Sequence, residues 1–133
     1  IGGFLLEQIG RLRMIVYCLC ADWCRTCDAY RETFDALARE WAGKARWVWV
    51  DIEEHDALMG DVDVENFPTL LLADANANAN ADAAQVYFFG TVLPHASVAA
   101  RLVERTLHGD HPPLNAPQAI ALFQRFRESG LGD

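Results

Sequence analysis

Apolar residues follow two patterns along this chain, and the alternation between them predicts its elements. Residues 14–20 (MIVYCLC) form an unbroken apolar run rich in strand formers, which marks a strand covered on both faces. A second such run, WVWVDI, occupies 47–52. Between them Cys27, Tyr30, Phe34, Leu37, Ala38 and Trp41 recur at helical spacing, while Arg25, Asp28, Arg31, Glu32, Asp35 and Arg39 fill the opposite side. This predicts an amphipathic helix over 24–42 with Gly43 as its stop, and it spaces Asp35 and Arg39 for an i,i+4 pair. Shorter helical patterns lie at 4–13, with Phe4, Leu5, Ile9 and Leu12 on one side, and at 54–61. Strands are predicted over 69–73, opened by Pro68, and over 85–89 (QVYFF). A helix over 97–108 carries Val98, Leu102, Val103 and Leu107 on its apolar side, with Ser97 as its candidate cap. The first half is thus a βαβ unit with parallel pairing and a right-handed crossover, and the second is a hairpin plus a helix. Together they predict an α/β fold: a central mixed β-sheet flanked by helices on both faces.

Two segments break the pattern. Residues 73–84 (ADANANANADAA) are small, polar and repetitive, and read as an exposed, mobile hairpin loop. Residues 108–117 (HGDHPPLNAP) have linker composition. After them a last helix is predicted over 117–128, capped near Asn115 or Ala116, with Ile120, Leu122, Phe123 and Phe126 on one face. The chain is therefore read as one domain over 1–109. A linker and C-terminal helix over 110–133 would pack on that domain or on a partner.

Composition changes this picture little. A chain of 133 residues fits one domain and can bury a core without staples. A formal net charge of −8 makes nucleic acid a poor partner. No apolar run is long enough to span a bilayer, so no membrane partner is expected. A monomer in the cytoplasm is expected, since no targeting leader is recognisable; the chain begins with Ile1 rather than Met, which leaves export open.

The cysteines change it most. All four lie between positions 18 and 27, whereas a secreted disulfide scaffold would spread them. Cys24 and Cys27 form a CxxC motif where a buried strand hands over to a helix. Cys24 falls in the first turn, where free N–H groups and the helix dipole stabilise the thiolate, the reactive form. Arg25 would add to this; Asp22 and Asp28 would oppose it. Cys27, three residues on and on the same helical face, can reach the Cys24 sulfur. Thiol–disulfide exchange follows: Cys24 attacks a substrate disulfide, and Cys27 attacks the resulting mixed disulfide.

The stretch Cys20-Ala21-Asp22-Trp23-Cys24-Arg25-Thr26-Cys27 resembles the active site of the thioredoxin family. Phe67-Pro68-Thr69, opening a later strand, resembles that family's cis-proline segment, and Gly90 matches a family glycine. The resemblance covers about residues 14–108. It implies the thioredoxin fold, Cys24 as nucleophile, Cys27 as resolving thiol and a redox-active Cys24–Cys27 disulfide with no other cofactor. It also implies a cis Phe67–Pro68 bond against the cysteines, with Trp23, Arg25, Thr26, Phe67, Pro68 and Thr69 receiving substrate. The activity implied is protein-disulfide reduction. Disulfide-containing proteins would be the substrates, and a reductase or thiol the electron donor. The chain departs from the family pattern in having Arg25-Thr26 between the cysteines. Cys18 stands where the family often buries an aspartate, and Cys20 where it has a tryptophan.

Cys18 and Cys20 share one strand face by period two. They read first as small buried hydrophobes. The sharper reading makes them accessory thiols, one of which exchanges with Cys27. No disulfide between the two is expected, because i,i+2 on one strand aims the pair poorly. Three other readings compete. Cys18, Cys20, Cys24 and Cys27 have the count for tetrahedral zinc, although two sit inside an apolar strand; no metal is expected. A non-catalytic binding module on the same fold would need neither thiol of the CxxC. A partner-docked reductase would use the last helix for docking. His55, His95, His108 and His111 are scattered and read as surface residues. Asp51, Glu53, Glu54 and Asp56 read as a solvated turn, and Trp47 and Trp49 as packing.

Overall fold

A computed structural model describes residues 14–75 and 85–132. The helix predicted over 4–13 and most of the loop predicted over 73–84 lie outside the described residues. Four strands, β1 (Met14–Cys20), β2 (Ala45–Asp51), β3 (Thr69–Asp74) and β4 (Gln85–Thr91), form one sheet in the order β2-β1-β3-β4. β1 pairs parallel to β2 and antiparallel to β3, and β3 pairs antiparallel to β4. Among the described residues four helices accompany them: α1 (Arg25–Glu40), α2 (Asp56–Met59), α3 (Ala96–Leu107) and α4 (Pro117–Glu128).

All seven residues of β1 are buried, as its unbroken apolar run requires of a central strand. Alternate residues serve opposite layers. Met14, Val16, Cys18 and Cys20 join Cys27, Tyr30, Phe34 and Leu37 of α1 and Ala99 and Val103 of α3. Ile15, Tyr17 and Leu19 join Met59 of α2 and Ala119, Leu122, Phe123 and Phe126 of α4. The mixed sheet with helices on both faces is therefore the predicted α/β architecture.

The apolar face of α4 is buried within this chain. The Tyr17 ring meets those of Phe123 and Phe126 at 6.1 and 5.0 Å between centroids, and its hydroxyl donates to the Leu131 carbonyl at 2.8 Å. Arg125 donates from Nε to the carbonyl of Leu58 at 2.6 Å and from Nη2 to that of Met59 at 3.0 Å, so α4 also satisfies the end of α2.

Two local expectations, the Ser97 cap and the Asp35–Arg39 pair, are corrected, and the choice between Asn115 and Ala116 falls to Ala116. Ser97 does not cap α3: His95 is the last extended residue before the helix and holds the cap position, which places Ser97 inside the first turn. Ala116 holds the cap position of α4, with Pro117 in its first turn, where a missing N–H costs nothing. Asp35 pairs with Arg31, at 3.6 Å, rather than with Arg39. The Arg31 guanidinium lies 4.7 Å over the Trp49 ring, which holds it on the side that Asp35 can reach. Both partners are half-exposed, so the pair adds little stability.

Candidate active site

The end of β1 and the start of α1 bring the four cysteines together. Strand β1 ends at Cys20, the chain turns through 21–23, and Cys24 takes the cap position of α1 with extended backbone (φ −86°, ψ 118°). The Cys24 N–H donates to the Ala21 carbonyl at 3.0 Å, and its carbonyl accepts the first helical bond, from Asp28, at 3.1 Å. No side chain caps the helix, so its first-turn N–H groups, which have no intrahelical partner, are left uncapped next to Cys24. Cys24 is partly exposed, whereas Cys18, Cys20 and Cys27 are at most 1% exposed. A substrate arriving from solvent meets only one of the four sulfurs.

The pairing differs from the expected Cys24–Cys27 disulfide. Cys27 is bonded to Cys20, with Cα atoms 5.9 Å apart, and Cys24 and Cys18 are free thiols. The reason is the direction of the Cys27 side chain. It lies on the buried face of α1 and points at the sheet, where Cys20 projects from the end of β1 toward the same layer. Cys20 is thus not merely a small apolar filler. The Cys18 sulfur lies 3.8 Å from that of Cys20 without a bond, as period two on one strand implies. The zinc arrangement loses two thiolates to the disulfide, and no three metal-ligating side chains converge among the described residues.

Pro68 opens β3 after a cis Phe67–Pro68 peptide bond. Thr69 Oγ1 donates to the Asn66 carbonyl across this turn at 2.7 Å, and the Val92 N–H donates to the Pro68 carbonyl at 3.0 Å. Trp23, 69% exposed, packs edge-on against the Phe67 ring at 5.6 Å. Phe67, the residue before the cis bond, is thereby held against the turn that precedes Cys24. Arg25 and Thr26 are exposed beside it, while Thr69 is buried. Gly90 lies in β4 opposite Leu70, and a Cβ there would make ordinary contact with the Phe88 ring at 3.4 Å.

A shallow depression beside Cys27 is lined by Asp22, Asp28, Arg31, Trp49 and Asp51. Asp51 belongs to it because parallel pairing sets it opposite Cys20 at the end of β2. Its Oδ1 accepts the Glu53 N–H at 2.9 Å, as the expected turn requires, and the residue also lines the depression with Cys27. A run of carboxylates gives no sign of which strand end it will adjoin. Trp47 and Trp49 flank Phe34, at 5.4 and 5.7 Å, and so pack against α1 as expected.

Burial pushes the Cys18 thiol pKa well up, with the Arg31 charge opposing only in part. Burial likewise raises Tyr30, and a charge on Cys18 would raise it further. An acid whose pKa is higher folded than unfolded keeps a proton that the unfolded chain has released. Its contribution to stability is whole below the unfolded value and is lost as pH rises above it. For Cys18 the loss begins near the ordinary thiol value, 9.0. It should reach about 1.4 kcal/mol for each further pH unit. Urea midpoints measured between pH 8 and 11 should fall accordingly, and Cys18→Ala should flatten the first part of the decline. Identical profiles for the two proteins would refute this.

A thioredoxin family model matches residues 7–86. Among curated proteins, a thioredoxin from Haemophilus influenzae is 36% identical over 52 residues, which are 39% of this chain and 49% of that protein. The match spans about half the length of that relative. Among solved structures, thioredoxin from Fasciola hepatica superposes with a TM-score of 0.58 at 17% identity, covering 77% of this chain and 88% of that one. The germline-specific thioredoxin Deadhead of Drosophila melanogaster gives 0.57 at 18%, covering 78% and 90%. These likenesses show a shared fold.

Proposed function

The chain belongs to the thioredoxin family, and from that premise we propose that it is a thiol–disulfide oxidoreductase that reduces disulfides in proteins, with Cys24 as nucleophile and Cys27 as resolving thiol. The observation that supports this most is exposure: of four clustered sulfurs only Cys24 is open to solvent, and it stands at the N-terminus of a 16-residue helix. There no side chain caps the helix, so its first-turn N–H groups are left without an intrahelical partner beside the sulfur that must attack.

In the reduced protein the Cys24 thiolate attacks a substrate disulfide, forms a mixed disulfide and expels one substrate thiolate. Cys27 then loses its proton and attacks the Cys24 sulfur, which releases the second substrate thiol and joins Cys24 to Cys27. The depression beside Cys27 brings Asp22, Asp28 and Asp51 to the side from which that proton can leave. This supplies a route where no buried aspartate underlies the pair. Trp23 and Phe67 offer apolar surface to the residues flanking the substrate disulfide, and Arg25 and Thr26 border it. The Phe67 backbone, just before the cis bond, takes an extended substrate segment as an added strand. A reductase or a small thiol returns the protein to its reduced form, and a reducing compartment such as the cytoplasm suits this direction.

The test is a trap. Cys27→Ser, reduced and then mixed with an oxidised protein substrate, should accumulate a mixed disulfide that maps to Cys24, while the wild-type protein shows only a trace of it. Failure to trap any adduct, or an adduct on another cysteine, would overturn the assignment.

A further inference from the structure

Cys27 has two partners within reach. One turn earlier on the same helix stands Cys24, at the solvent side. Beneath it, at the end of β1, stands Cys20, to which it is bonded. The Cα separation of 5.9 Å for the Cys20–Cys27 pair lies in the ordinary range for disulfides, so the two elements need not move to hold it. Both of its sulfurs belong to residues 1% exposed, whereas Cys24 is partly open. An external thiol therefore cannot meet this disulfide directly.

We propose that Cys20 is a second, internal acceptor for Cys27, so that oxidation taken up at the surface is moved into a buried Cys20–Cys27 disulfide and Cys24 is restored as a free thiol. The inference rests on the reductase reading above and adds one step to it. After substrate leaves, the protein holds Cys24–Cys27. The Cys20 sulfur attacks that of Cys27; the Cys20–Cys27 bond forms, the Cys24–Cys27 bond breaks, and Cys24 departs with the electron pair. The proton lost by Cys20 is matched by the one Cys24 can take up, and the protein stays oxidised by two electrons throughout, so no outside oxidant or reductant enters. The reverse attack, by Cys24 on Cys27, brings the disulfide back to the surface for reduction. Cys18, although 3.8 Å from Cys20, takes no part: it is fully buried and its burial favours the neutral thiol. In the stored state Cys24 has no resolving partner, so a mixed disulfide that it forms there persists.

The chain itself makes the experiment clean. Trypsin cuts after Arg13 and Arg25, and an aspartate-directed protease cuts before Asp22 and Asp28. Peptide 14–21 then carries Cys18 and Cys20, 22–25 carries Cys24, and 26–27 carries Cys27. The full chain is oxidised by equilibration with excess oxidised dithiothreitol, quenched in acid, alkylated and digested without reduction. The expected major product links 14–21 to 26–27, with Cys24 alkylated. Cys24→Ser removes the one sulfur open to solvent and should form that link at least tenfold more slowly than wild type; an undiminished rate would show that the buried pair is oxidised directly and would overturn the transfer through Cys24. Cys20→Ala should shift the link to 22–25 with 26–27. If the wild-type chain instead links 22–25 to 26–27 and leaves Cys18 and Cys20 alkylated, the internal step is overturned and the reductase reading stands. Persistence of the 14–21 link in Cys20→Ala would place Cys18 in the role and overturn the assignment to Cys20. Absence of any link would overturn both readings.

Discussion

Cys24→Ser should abolish disulfide reduction, lowering the rate by at least about 10³-fold, as loss of a nucleophile does when no neighbour can replace it. The size of the effect follows from the exposure pattern. Cys27 lies on the buried face of α1, Cys20 lies beneath that face, and Cys18 lies deeper in β1, so no substrate disulfide can align with any of them. A serine hydroxyl at the cap position preserves the helix start and even offers it a capping oxygen. Folding should therefore survive, and the loss can be assigned to chemistry. The measurement is reduction of a protein disulfide with dithiothreitol as donor, alongside circular dichroism to establish the fold. Activity within tenfold of wild type would show that another sulfur is reached, and the geometry described for the site would be wrong.

Phe126→Ala should lower stability by about 3–5 kcal/mol, the usual cost of truncating a fully buried aromatic side chain. Phe126 is wholly buried and lies 5.0 Å from the Tyr17 ring on the sheet face opposite the cysteines. Because Tyr17 belongs to the central strand, a cavity there loosens the layer that supports β1. Against a typical total of about 5–15 kcal/mol, the loss is large enough to read from a shifted urea midpoint. Phe126→Leu, which refills most of the space, should recover the greater part. A loss under about 1 kcal/mol would mean that α4 can leave the sheet without cost, and would return this helix to the role of a docking element.

The two variants probe opposite faces of one strand, and this division links the fold to its chemistry. Cys18 and Cys20 share the inward face of β1 with the residues that meet α1. Tyr17 and Leu19, one residue out of phase, meet α4. Packing of α4 therefore fixes the strand whose other face holds the sulfur cluster.

Much of this was legible in the chain alone. The unbroken run at 14–20 and the helical spacing from Cys27 to Trp41 placed β1 and α1 to within a few residues, because burial on both sides and burial on one stripe leave different periods. The same boundary placed Cys24 at a helix N-terminus, since a CxxC between a strand and a helix can lie nowhere else. The apolar face of the last helix was visible too, but not its occupant: Tyr17 lies 114 residues by separation from its hydrogen-bond partner Leu131, and no local pattern reports a contact at that distance.

What the tertiary structure alone decided is which sulfur Cys27 meets. Sequence spacing makes Cys24 the nearer neighbour, since i and i+3 share a helix face. The pairing of Cys27 with Cys20 depends instead on how α1 is set down on β1, and on a turn through 21–23 short enough to bring strand end and helix start within 5.9 Å. Asp51 joins the same place through the register of β2 on β1. Periodicity reports which face of an element is buried; only packing between elements decides which groups on those faces touch.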